Sequence, residues 1–86
     1  MKIYDFNGSK NICGLRVKEQ RKKLSLSQEN LAAKLQIEGV MIERDSISRI
    51  EIGTRFVADY ELLALCKALN VAPAYLLGMS SEAENK

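Results

Sequence analysis

Leu26-Ser27-Gln28-Glu29-Asn30-Leu31-Ala32, followed by Ser46-Ile47-Ser48-Arg49-Ile50-Glu51-Ile52-Gly53, decides the fold. Each half carries a short helix, and together they read as helix, turn, helix. Ser27 is a good N-cap, and Gln28 and Glu29 fall in the first turn, where backbone N–H groups lack intrahelical partners. Leu31, Ala32 and Leu35 then recur at i, i+1 and i+4 as a small apolar stripe. In the second half Ile47 and Ile50 stand three apart, Ser46, Ser48 and Arg49 fall on other faces, and Gly53 marks the end. A short helix that buries two isoleucines and turns polar side chains outward suits entry into a DNA groove.

Working outward, a first helix is expected from about Asn11 to Leu24, capped by Ser9 or Asn11, with Val17, Leu24 and part of Arg21 facing inward. The second starts after Ser27 and reaches about Glu38, and the third runs from near Arg44 to near Ile52. Leu62, Leu65, Cys66 and Leu69, at i, i+3, i+4 and i+7, predict a fourth helix beginning after Asp59. Pro73 opens a short fifth one carrying Leu76 and Leu77. The fold class is all-α.

The chain has 86 residues, enough for one small domain whose single core is adequate but thin. Apolar residues make up 47% and aromatics only 6%, which suits a helical bundle of Leu, Ile and Ala. Residues 1–10 read as an arm, 11–79 as the domain with the helix-turn-helix at about 28–52, and 80–86 as a polar tail. No apolar run is long enough to span a bilayer, and Met1-Lys2-Ile3-Tyr4-Asp5 lacks a signal-peptide core, so a cytoplasmic protein is expected. Two cysteines without histidine make neither a disulfide framework nor a zinc set. Cys66 reads as a buried small hydrophobe, and Cys13 as a partly exposed residue before the first helix.

Charge is unevenly spread. Between Lys10 and Lys34 seven basic residues face two acidic ones; from Leu35 onward five basic face eight acidic. A basic half beside a mildly acidic one fits a one-sided polyanion binder, and equally a solvated helix face. Lys18, Lys22 and Lys23 read as such a face, adding long-range attraction that salt would weaken.

Gly14-Leu15-Arg16-Val17-Lys18-Glu19-Gln20-Arg21, the two halves quoted at the outset, and Thr54-Arg55 stand in an order and spacing that resembles the lambda-repressor/Cro-like (XRE-type) helix-turn-helix family. Leu62, Cys66, Ala68-Leu69-Asn70-Val71 and Tyr75-Leu76-Leu77 are similar to that family's last two helices. The resemblance runs from Gly14 to Gly78 and implies a compact five-helix DNA-binding domain with a short N-terminal arm. One departure is the turn, where Ile37-Glu38-Gly39-Val40-Met41-Ile42-Glu43 is longer than the family's commonest form. Gly39 is expected to end helix two and Ile42 to return to the core.

Phosphate contacts position such a protein and base contacts specify sequence. For phosphates, the resemblance points to Gln28 at the second helix's N-terminus, and to the backbone N–H groups near Gly53 and Thr54 with the Arg55 side chain. For bases, the start of helix three offers Arg44, Asp45, Ser48 and Arg49. Arginine pairs with guanine O6 and N7, worth roughly 1–3 kcal/mol of discrimination. Asp45 can accept from cytosine N4, but capping the helix is the reading preferred for it. Arg21 and Glu51 occupy positions that face each other in the family, so a structural salt bridge is expected rather than a DNA contact.

The leading functional reading is a sequence-specific DNA-binding transcriptional regulator of bacterial or phage type, a repressor on a two-fold operator of double-stranded DNA. Any homodimer contact is expected from the helices, with Tyr75, Leu76, Leu77 and Met79 as candidates, and from the arm at Ile3, Tyr4 and Phe6. The alternative is a protein-interaction module, such as the antitoxin of a toxin–antitoxin pair; Glu38, Glu43, Asp45 and the tail Glu82-Ala83-Glu84 suit a protein partner. No enzyme, metal or cofactor is implied: there is no histidine, no phosphate loop, and no nucleophile with its base.

Overall fold

The computed structural model describes residues 5–81. They form five helices: α1 (Gly14–Lys23), α2 (Gln28–Ile37), α3 (Arg44–Ile52), α4 (Asp59–Leu69) and α5 (Pro73–Leu76). None is long and apolar enough to cross a membrane.

Local chemistry sets most of the boundaries. Asn11 Oδ1 accepts the Gly14 N–H at 2.8 Å, so the asparagine satisfies the start of α1 although the helix itself begins later than expected. Cys13, expected to be partly exposed, is 2% exposed because it sits beneath that start. The other end differs too. Ser25 adopts φ 57 and breaks α1 at Lys23, leaving Leu24 exposed; Leu26 packs against the core instead. At α2, Ser27 Oγ accepts the Asn30 N–H while Asn30 Oδ1 accepts the Ser27 N–H, a reciprocal cap. Gly39, at φ 84, ends the helix, and Ile42 returns to the core at 6% exposure. Gly53 closes α3 at φ 85, a left-handed conformation that glycine adopts without a Cβ penalty.

Val17, Leu31, Leu35, Ile47, Ile50, Leu65, Leu69, Val71 and Leu76 are fully buried in one core. α3 packs on both α1 and α2, α4 packs on the same two helices, and α5 packs on α1 and α4. Gly14 lies where α1 crosses α3: a Cβ there would run into the backbone oxygen of Ile50. Arg16 stacks over the Tyr75 ring at 4.6 Å and donates to the carbonyls of Tyr75 and Ser80, tying the chain after α5 back onto α1.

The described part of the arm forms a tight turn in which Phe6 and Ser9 exchange backbone hydrogen bonds, docked where the Lys10 N–H donates to the Gly53 carbonyl at 2.8 Å. Of the residues named for an arm contact, Phe6 is exposed, whereas Ile3 and Tyr4 lie outside the described residues, as does Glu82-Ala83-Glu84.

Candidate nucleic-acid interface

Helical periodicity divides α3 cleanly. Ile47, Ile50 and Glu51 point inward, while Arg44, Asp45 and Arg49 are exposed and Ser48 is half-buried beside them. The four residues named for base contact therefore lie at i, i+1, i+4 and i+5 along one face. Arg44 Nη2 rests 3.3 Å from Asp45 Oδ1, an exposed pair that water screens. Asp45 does not cap α3. The cap position belongs to Glu43, which makes no side-chain capping bond, and the Asp45 side chain is 77% exposed. The helix still starts at Arg44, as expected, which puts Asp45 inside its first turn rather than at its cap.

Behind this face sits a bidentate ion pair. Arg21 Nε and Nη2 donate to Glu51 Oε2 and Oε1 at 2.7 and 3.0 Å, and Arg21 Nη1 donates to the Leu26 carbonyl at 2.8 Å. The Glu51 hydrogen bonds push the Arg21 guanidinium pKa further up against the opposing effect of burial. Gln28 joins the network, its Nε2 donating to Glu51 Oε1 at 3.2 Å. The side chain named for a phosphate thus rests on the α1–α3 ion pair, at the N-terminus of α2.

The clamp after α3 differs from expectation. The Gly53 N–H donates to the Ile50 carbonyl and the Thr54 N–H to the Arg49 carbonyl, so both close the helix rather than face outward. The Arg55 guanidinium is tied to Glu61 at 3.0 and 3.1 Å and to the Phe56 carbonyl at 2.9 Å. Burial pushes the Glu61 carboxyl up, but the Arg55 hydrogen bonds, the Ala58 N–H and the Arg55 charge outweigh it and hold the acid below its ordinary range. The free donors lie one step further along: among the described residues, the N–H groups of Arg55, Phe56 and Val57 meet no acceptor.

Sequence reasoning missed a groove of about 460 Å³ between α2 and the long turn, walled by Ala32, Ala33, Met41 and Ile42 and rimmed by Arg44. Nor did it foresee Glu61 as the partner of Arg55. A glutamate at the third position of a helix is a capping signal that was available in the sequence.

A two-helix unit with a polar, cation-bearing outer face on its second helix is the geometry of a groove-reading module. The helix-turn-helix family model matches residues 17–76, which contain that unit. The chain belongs to the lambda-repressor-like (XRE-type) helix-turn-helix family. No curated protein and no solved structure matches it. This is a family of DNA-binding regulators, and α2 and α3 lie within the matched residues.

Proposed function

We propose that the protein is a sequence-specific transcriptional regulator, of bacterial or phage type and acting as a repressor, that places α3 in the major groove of a two-fold operator. The single observation that carries this is the outward face of Arg44, Asp45, Ser48 and Arg49, none of which is buried in the core. Arg44 and Arg49 are the base readers, each suited to guanine. Asp45 and Ser48 lie beside them within reach of cytosine N4 or a flanking edge. Gln28 leaves Glu51 to meet a phosphate at the N-terminus of α2, where the helix dipole favours an anion. On the far side the clamp is the loop after Gly53 and Thr54, through its outward N–H groups, with Arg55 holding the loop rather than reaching out.

A homodimer through the fifth helix has less surface than the sequence suggested. Tyr75 and Leu76 are committed to the domain's own core, and only Leu77 and Met79 stay exposed there.

The test is selection from a random duplex library at two salt concentrations, with Arg44→Ala and Arg49→Ala beside the parent. A two-fold motif is expected, with each variant losing about 1–3 kcal/mol and relaxing preference at one position per half-site. Weak binding that salt erases, indifferent to both substitutions, would overturn the reading in favour of a protein-partner module.

A further inference from the structure

We propose that Asn11, ahead of α1, is a positioning residue for DNA binding: by holding the Arg55 carbonyl it aims the Phe56 N–H at a phosphate. The inference rests on the DNA-binding reading above.

The side-chain amide of Asn11 has its capacity unusually well used. Oδ1 accepts the Gly14 N–H, and Nδ2 donates both to the Ile50 carbonyl at 3.0 Å and to the Arg55 carbonyl at 2.8 Å. One half-buried residue thereby joins the start of α1, the last turn of α3 and the loop beyond it. A helix start alone needs only the acceptor; serine would serve as well. The donor side is what a cap does not explain.

Its consequence follows from peptide geometry. A trans peptide is planar, with C=O and N–H pointing in opposite directions. With the Arg55 carbonyl drawn in toward Asn11, the N–H of the same peptide, that of Phe56, points away from Asn11. The next peptide is fixed in the same manner, because Arg55 Nη1 holds the Phe56 carbonyl and leaves the Val57 N–H directed away from the guanidinium. Among the described residues neither N–H has an acceptor. Two successive peptide planes are thus set by side chains in the free protein, and a phosphate meets donors already oriented. Two residues earlier in the same loop, the Lys10 N–H donates to the Gly53 carbonyl at 2.8 Å.

The experiment is phosphate-ethylation interference on the selected operator, with the parent and Asn11→Ser. Serine keeps a neutral capping oxygen for Gly14 but is too short to reach the Arg55 carbonyl. The parent is expected to show a protected set of phosphates from which Asn11→Ser loses one per half-site, with about tenfold weaker binding and an unchanged base motif, as for one lost hydrogen bond to a charged group. An identical interference pattern for the two proteins, whatever their melting temperatures, would overturn the proposal. Should the variant not fold, amide NMR of the parent decides: a downfield shift of the Phe56 N–H on operator binding supports the proposal, and an unmoved Phe56 resonance overturns it. A parent that binds no duplex at all would instead sink the DNA-binding reading, and the role of Asn11 with it.

Discussion

At Gly14 a single hydrogen atom in place of a methyl group decides how closely α1 can lie on α3. Gly14→Ala forces the Ile50 carbonyl, a backbone group, to move, and is expected to destabilise the fold by about 1–3 kcal/mol in urea denaturation. The residue was visible in the sequence as part of a family pattern, but the close approach that requires it was not, since nothing local to Gly14 signals a helix crossing. The same limit explains Asn11 and Arg55. Asn11 was legible as a cap, because its acceptor bonds three residues ahead; its donor bonds reach Ile50 and Arg55, around forty positions away. Arg55 was read as a free phosphate ligand because Glu61, six residues on, stands at no spacing that marks an ion pair.

The elements themselves were largely readable. Ser27 and Asn30 begin α2, Gly39 and Gly53 end α2 and α3, and Pro73 opens α5, all by chemistry that acts within a turn. The local pattern failed on side chains near these ends rather than on the ends themselves: Asp45 does not cap α3, and Leu24, expected inward, stays exposed where Ser25 turns left-handed. α3 is held at its inner face by the Arg21–Glu51 pair, and removing one partner leaves the other charge buried. Arg21→Ala is expected to cost about 3–5 kcal/mol in chemical denaturation, whereas Arg44→Ala on the outer face should leave stability within about 0.5 kcal/mol. A comparable loss from both would show that the two faces are not energetically separate.

Over the whole molecule, charge pairing gives stability a direction with pH. Glu61 titrates lower in the folded chain than in the unfolded one, so its contribution is fully present above the ordinary carboxylate value of about 4.3 and is lost as pH falls through the lowered folded value. Arg21 is shifted upward, so its guanidinium stays charged through the acid and neutral range and its own titration adds no pH dependence there. Melting temperatures are therefore expected to fall steeply only in acid, and Glu61→Gln to shallow that fall; a variant with the parent's full acid dependence would assign it to other carboxylates. The most far-reaching consequence lies in how α3 is fastened. Its C-terminal end is gripped by Ser9, Lys10 and Asn11, while the residues at its outward start carry no core packing and no cap. Substitutions at Arg44, Asp45, Ser48 and Arg49 therefore leave the supports of the helix untouched, so under the proposed function the reading surface can be rewritten on an unaltered frame.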